Sequence, residues 1–383
     1  MGTQSNGKIS QEIGIRIRAA RKAQGMRQMD LAEASPLPAS HLSELERGSR
    51  LPTIPTLQKI GAALHRPLEY FFQDIAFHPR SFGMVIHWAS IGGQAVAQFA
   101  RDVEKRTNGE IKLRVYHSSE LGTSRDQLEA LIEGGIHVFI DEPHCFENYA
   151  PLCGSVFLPY YFKDRFHYNR FLKSDIFDRE VVQRLLNKGI RLLNPASNWE
   201  LGSFEVLFSR DPIFSPDDLK GRKLRTYPSR MAIQLRKMLG ADPVTVDWED
   251  VYTAFEREEI DTLLIPSGYF AALKLHRLAR YATLLRIGYT LNLTLAISEH
   301  EFSKLTPSAQ NALLETCEEV GEYCSDLANK KTEADLADLS EKYGLPVIQP
   351  DQKHWRETVH GSIERICVRD SVHRAAFEKI QRL

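Results

Sequence analysis

Between the amino terminus and residue 27, Lys8, Arg16, Arg18, Arg21, Lys22 and Arg27 are opposed only by Glu12. Cations crowded in this way lower the energy of approach to phosphates and make affinity fall with added salt. Groups that would make or break bonds are harder to find. Among thirteen histidines, His137 and His144 come close in sequence, but there is no HExxH and no Cys/His pairing at zinc spacing. The five cysteines form an odd set without a CxxC pair, which is no disulfide framework and fits a reducing compartment. Cys317 and Cys324 share a helical stripe with leucines and read as packing. GxSxG, a P-loop and GxGxxG are all missing, and "IGGQ" at 91–94 reads as a tight turn between strand and helix. The residues predict binding: no catalytic group, no metal and no cofactor.

A chain of 383 residues exceeds one ordinary domain, so two or three folding units are expected. The 43% hydrophobic and 26% charged residues are those of a soluble globular protein, and a net charge of −1 excludes a uniformly basic one. Residues 1–25 hold no apolar run of signal-peptide length, and nothing approaches the roughly 20 apolar residues of a membrane span. The expected compartment is the cytoplasm.

Residues 9–72 predict short helices. Ser10 would cap the first, whose Ile13, Ile17 and Ala20 recur at spacings of three and four. Arg27–Ala34 and Ala39–Arg47 follow, joined by "SPLP", and "TIPTLQKIGAAL" supplies a fourth with Leu57, Ile60 and Leu64 inward. The stretch 73–82 lacks a period and reads as a linker. From Gly83 onward, strand patterns ("GMVIHWAS", "EIKLRVYHS", "IHVFID") alternate with helical ones, and the alternation restarts at "GRKLRTYPS". That predicts two α/β lobes with largely parallel sheets. After Thr306-Pro307, a long helix carries Leu313, Leu314, Cys317, Val320, Cys324 and Leu327 on one stripe. Its surface and the C-terminal segment are open to two readings, a dimer contact or packing on the helix's own lobe.

"GMRQMDLAEAS…HLSELERGSRLPTIPTLQKIGAAL" resembles the Cro-type (XRE) helix-turn-helix family. In such a unit one helix enters the major groove while its neighbour braces it on the backbone. The resemblance implies that Gln28 and Arg47 hold phosphates, with Arg27 beside them, and that Ala39, Ser40 and Glu44 face base edges. Arg21 and Glu46 fall where the family makes an internal ion pair. The turn departs from the pattern: Pro36 replaces a usual glycine, and Pro38 a usual capping Ser or Thr.

"FARDVEKRTNGEIKLRVYHSSELGTSRDQLEALIEGGIHV" and "FSPDDLKGRKLRTYPSRMAIQLRKMLGADPVTVDWEDVYTAFEREEIDTLLIP" resemble the solute-binding proteins of TRAP transporters, the DctP-like family. The implied fold class is an all-α helix-turn-helix domain (1–72) followed by an α/β two-lobed, periplasmic-binding-protein-like domain of type II (83–383). The resemblance implies Arg225 as the fork for a ligand carboxylate, Trp248 and Glu142 facing the pocket, and His87, Trp88 and Asn198 on loops lining it. Ile265, Phe204 and Cys145 stand where the family often has Asn, Arg and Arg. Three polar donors replaced by apolar or weakly polar groups predict a monocarboxylate with a sizeable apolar body.

Together the two resemblances imply a one-component transcriptional regulator: a homodimer or higher homo-oligomer on double-stranded operator DNA, modulated by a small organic acid. An unexported transport component is the second reading, and an enzyme the third.

Overall fold

The computed structural model describes residues 2–72, 81–86, 91–117, 121–287 and 292–383. Four helices build the amino-terminal unit: α1 (Gly2–Ala23), α2 (Gln28–Ala34), α3 (Ala39–Arg47) and α4 (Ile54–Ala63). The helical spacing of Ile13, Ile17 and Ala20 sends them inward, where they join Leu31, Leu42, Leu45, Leu57, Ile60 and Leu64 in one buried cluster. Ser10 is not a cap. It lies within α1, which starts at Gly2, and its Oγ donates to Gly48 O at 2.7 Å. Gly48 ends α3 at φ +70°, and a Cβ there would fall 2.4 Å from Gln11 Cα, so only glycine lets the two helices approach this closely. Pro38 precedes Ala39 as the N-cap residue of α3, with no side-chain hydrogen bond to offer.

One carboxylate ties three helices together. Arg21 Nε and Nη2 donate to Glu46 Oε1 and Oε2 at 2.6 and 2.8 Å, and Gln28 Nε2 donates to Oε2 at 3.0 Å. Arg18 lies 3.6 Å from the same group, and Arg16 Nη1 donates to Tyr70 O. Of the basic edge expected on α1, Arg21 is turned inward, while Arg18 and Lys22 stay exposed.

The rest of the chain forms two lobes. In the first, the sheet order is β2-β1-β3-β10-β4, with β1 (Ser81–Ile86), β2 (Lys112–His117), β3 (Val138–Asp141), β4 (Ile190–Leu192) and β10 (Thr294–Ser298). β1 starts two residues inside the segment read as linker. The second lobe has the order β11-β9-β5-β8-β6-β7. Its strands are β5 (Glu205–Ser209), β6 (Lys223–Thr226), β7 (Asp242–Thr245), β8 (Thr262–Pro266), β9 (Tyr281–Ile287) and β11 (Val347–Ile348). Both sheets are mixed, which corrects the expectation of largely parallel ones. β10 runs antiparallel to both β3 and β4, and β5 antiparallel to both β8 and β9. β5 and β10 follow the first two of the three crossings between lobes, and they enter their sheets without the helical crossover that parallel pairing requires.

α5 (Ile91–Arg106) and α6 (Ser124–Glu133) follow β1 and β2, and α7 (Arg230–Met238) follows β6. α8 (Pro307–Glu341) runs along both lobes. Its Leu313, Cys317, Val320 and Cys324 sit in the core of the first lobe, and Leu339 sits in that of the second. The apolar stripe of this helix is thus covered by the chain's own lobes, as the reading of packing within the chain expects. α9 (Gln352–Arg369) and α10 (Ser371–Ile380) close the chain, and their Trp355, Ile363 and Phe377 belong to the same cluster as the helical unit. Among the described residues, no helix is long and apolar enough to cross a membrane.

Breaking a buried pair strands the remaining charge, so Glu46→Ala should destabilise the amino-terminal unit by about 3 kcal/mol. Calorimetry of the full chain would show a lowered first transition, and an unchanged one would mean that this network contributes little.

Candidate ligand cleft and nucleic-acid face

Arg225 stands at the carboxyl end of β6, the edge of an α/β sheet where ligands are ordinarily held. Its Nε donates to Val246 O at 3.2 Å, and its guanidinium carbon lies 5.5 Å from the Trp248 ring centroid. Trp248 in turn meets Tyr269 edge to face, with centroids 4.8 Å apart. Burial holds the Arg225 pKa below its ordinary value, with Glu142 opposing that shift. One backbone carbonyl is a poor match for five N–H donors, so the fork retains capacity for a carboxylate.

These groups face a cleft of about 710 Å³ between the lobes. Thr123, Ser124, Arg125, Leu128 and Glu129 line it from the start of α6, Asp141 from the end of β3, and Glu142, Cys145, Glu147 and Tyr149 from the segment that follows. The lobes touch across it, where His144 stacks on Tyr227 with ring centroids 3.8 Å apart. His144 Nδ1 is also 3.3 Å from Glu142 Oε2. Burial pushes the Cys145 thiol well above its ordinary value, with Asp141 and Glu142 adding to the shift.

A small inner chamber of about 40 Å³ opens beside the cleft and shares Glu142, His144 and Tyr227 with it. Glu205, Arg236 and Asn292 also line it. Glu205 turns part of its surface toward the chamber. The protein packed around it, with Glu142 nearby, still raises its pKa to about 8.

The structure brings together three of the six expected ligand residues: Arg225, Trp248 and Glu142. Asn198 is not at the cleft. Its Nδ2 donates to Glu318 O at 2.9 Å, and its Oδ1 packs against Gly321, so it holds the inter-lobe crossing onto α8. His87 and Trp88 lie outside the described residues. Phe204 and Ile265 are buried in the core of the second lobe, away from the cleft, and Cys145 alone of the three departures lines it. The prediction of an apolar ligand body therefore loses two of its three supports. Glu205, Tyr227, Arg236 and Asn292 were missed. For Glu205 a signal existed, a lone carboxylate within the apolar run "FEVLFS".

On the helical unit, Ala39, Ser40 and Arg47 are exposed and Glu44 half-buried, while Leu42, Leu45 and Glu46 on the other side of α3 are buried. Arg47 Nε donates to Ser43 O, and Glu44 lies 3.7 Å from Arg50. Arg27 is exposed but paired with Asp30 at 2.8 Å, and Gln28 is engaged with Glu46 at the start of α2. Among the described residues no cluster could hold a metal ion. His137 is half-buried, and desolvation lowers its pKa, with Glu301 opposing the shift and Lys304 adding to it.

Folding raises the Glu205 carboxyl from about 4.3 in an unfolded chain to about 8. Its contribution to stability is therefore full below about pH 4.3 and lost as pH rises to about 8. Glu205→Gln removes this dependence, so the variant's advantage in urea denaturation should widen with pH across that window. A gap that stays constant would show an ordinary carboxylate.

Comparison with known proteins adds to this geometry. Residues 82–370 match the bacterial extracellular solute-binding proteins, family 7 (DctP), and residues 17–71 match a helix-turn-helix family. The 2,3-diketo-L-gulonate-binding periplasmic protein of Escherichia coli is 28% identical over 277 residues, 72% of this chain and 83% of that protein. The sialic acid-binding periplasmic protein of Vibrio cholerae is 28% identical over 279 residues, 72% and 84% of the two chains. A TRAP periplasmic solute-binding protein of Chromohalobacter salexigens with bound D-glucuronate superposes with a TM-score of 0.69 at 20% identity, covering 79% of this chain and 99% of that one. One from Sulfurospirillum deleyianum with bound succinate gives 0.69 at 22%, covering 79% and 98%. This chain belongs to the DctP family of solute-binding proteins and carries a helix-turn-helix domain ahead of that fold.

Proposed function

We propose that the protein is a one-component transcriptional regulator of the cytoplasm, which binds operator DNA as a homodimer through α3 and is modulated by a small organic acid in the inter-lobe cleft. The relatives named above bind organic acids or acidic sugars by their printed names, and Arg225 offers a fork for a carboxylate at the cleft of this chain.

A single helix carries the reading. α6 lines the cleft at its first turns with Ser124, Arg125, Leu128 and Glu129. Its other end supports the helical unit. Glu133 accepts from Gln58 Nε2 of α4 at 3.2 Å, and Gly135 lies so close under Leu68 that a Cβ would sit 2.5 Å from Leu68 Cδ2. Leu68 and Phe71 share one buried cluster with Leu128, Ala130, Leu131 and Ile136. A ten-residue helix is about 15 Å long and rigid, so movement at its cleft end is carried to α4. The α3 face stays open to solvent in this arrangement. Half-sites lie one helical turn apart on DNA, so a small rotation of each reader changes whether two of them fit at once. A coupling of about 1–3 kcal/mol gives a switch of roughly 5- to 150-fold.

An unexported transport component is the competing reading, and the attachment of the helical unit to the wall of the cleft favours regulation over it.

Gel shifts on promoter fragments separate the DNA roles. Arg47→Ala should weaken binding to every sequence and lower the salt slope by about 1. Glu44→Ala should change preference at one base pair by about 1–3 kcal/mol. Equal losses on all sequences for both would overturn the base-reading role. Thermal-shift screening of carboxylates on the full chain, followed by calorimetry, tests the cleft. Arg225→Ala should cost about 1.5–3 kcal/mol of affinity for any acid found. Leu68→Ala should leave acid binding intact while reducing the effect of the acid on DNA affinity. Full coupling in that variant would remove α6 as the link.

A further inference from the structure

The chain between β3 and β4 begins and ends in the first sheet, yet its middle is held by the second lobe. Tyr160 donates its hydroxyl proton to Leu285 O of β9 at 2.7 Å, and the short helical turn Cys153–Val156 packs on α7. The C-terminal helices fasten the same stretch from outside. His360 Nδ1 and Arg356 Nη1 of α9 donate to Tyr160 O and Lys163 O at 3.0 and 2.7 Å, and Gln381 Nε2 donates to Tyr161 O at 3.0 Å. These helices are themselves anchored on the second lobe. Gln352 Nε2 donates to Leu284 O of β9 at 2.6 Å, and Trp355 Nε1 to Phe214 O at 3.2 Å.

One chain of groups reaches both walls of the cleft. Arg230 opens α7, two residues beyond the cleft-lining Pro228, and its Nη2 donates to Asp370 Oδ2 at 2.9 Å. Asp370 caps α10 through the amides of Val372 and His373, and its Oδ1 lies 3.0 Å from His373 Nδ1. His373 first, and Arg230 after it, hold the Asp370 carboxyl well below the usual carboxylate range. The His373 ring is completely buried, and its Nε2 donates to Pro151 O at 3.0 Å. Pro151 stands two residues beyond Tyr149, the last cleft-lining group of the segment that follows β3.

The wall from Glu142 to Ala150 is therefore fixed differently at its two ends. At its start, Asp141 closes β3 and accepts from Ser124 Oγ of α6 and, at 2.7 Å, from the Glu142 amide. At its far end, Pro151 is held to the second lobe through His373. The wall also rests on the turn behind it, where a Cβ on Gly154 would fall 2.4 Å from Glu147 Cδ. A segment fastened to a different lobe at each end has to bend when the lobes move, and its own short-range hydrogen bonds are the ones that open.

We propose that His373 is a positioning residue for the effector site: it pins the far end of the Glu142–Tyr149 wall to the second lobe, so that this wall takes up movement between the lobes. His373 is not a lining residue of the cleft and acts through Pro151. The consequence for an effector rests on the cleft reading above, whereas the pin itself is tested without a ligand.

The test is hydrogen–deuterium exchange of the full-length protein in the absence of any acid, read by mass spectrometry on peptides covering 142–150. Amides there are protected by local bonds such as Cys145 N to Glu142 O and Ala150 N to Phe146 O. His373→Leu, which fills the space but cannot donate, should speed exchange in this segment about tenfold while β5, β8 and α4 keep their rates. His373→Gln retains a donor for Pro151 O and should stay within about twofold of the parent chain. The Arg230 side chain is 58% exposed, so Arg230→Ala folds, and by loosening Asp370 it should speed the same segment about threefold. Unchanged exchange at 142–150 in His373→Leu, or a rise shared evenly by the whole chain, means that His373 only fills the core and overturns the proposal. Equal rises in the two His373 variants do the same. Should His373→Leu not fold, equal rates in Arg230→Ala and the parent chain overturn it instead. None of these results bears on the organic-acid reading, which depends on Arg225.

Discussion

A guanidinium held between two lobes with too few acceptors is the constraint on which this architecture turns. Arg225 keeps its charge in a place where burial opposes it, aided by Glu142 and by one carbonyl, that of Val246. Trp248 lies near enough to add a cation–π contribution. Such an arrangement is stable enough to fold around but is improved by a carboxylate, because a charged bidentate pair is about twice as strong as a neutral hydrogen bond. The improvement is available only when groups from both lobes surround the ligand. Binding energy is therefore converted into a preference for one relative position of the lobes, which is the condition for any ligand to shift an equilibrium.

The remaining structure determines where that preference is felt. α8 packs on both lobes, and the stacking of His144 on Tyr227 joins them at the cleft. The helical unit, in contrast, meets the first lobe at α6 and the residues just after it. Its core is continuous with the cluster under α6, so it moves with that wall rather than swinging on a tether. Within the unit, Glu46 holds α1, α2 and α3 in a fixed relation. Rigid attachment at one end and an adjustable cleft at the other is the arrangement that a mechanical relay needs.

Much of this was legible in the sequence because it rests on local periodicity. The spacing of Ile13, Ile17 and Ala20 placed the face of α1, and the leucine–cysteine stripe placed that of α8. Arg225 and Trp248 were found through a motif that lies on one contiguous stretch. What was not legible depends on pairing between distant segments. The sequence cannot show that β10 enters the first sheet antiparallel between β3 and β4. Nor can it show that Phe204 and Ile265 pack into the second core. In a strand a shift of one residue exchanges core for cleft, and Phe204 lies in the core while its neighbour Glu205 lines the chamber. Asn198 failed for a related reason: its partner, Glu318, is 120 positions away. Ser10 failed because α1 begins earlier than a capping serine implies.

Charge accounting places limits on how strong the relay can be. Arg18 and Arg21 are drawn to Glu46, and Arg27 is paired with Asp30, so much of the basic surface of the helical unit is already committed within the protein. Fewer free cations mean fewer displaced counterions and a modest non-specific affinity. On the regulator reading proposed above, selective binding then comes from two readers engaging two half-sites in register. That demand makes occupancy sensitive to the small rotations a ten-residue helix can deliver. A reader with a large basic surface would hold DNA in either state of the cleft, and a metabolite worth about 1–3 kcal/mol of coupling could not dislodge it. On the proposed reading, the pairing of these arginines with carboxylates of their own unit and the seating of that unit on the cleft wall are thus complementary. The first keeps the grip on phosphates weak enough for the second to matter.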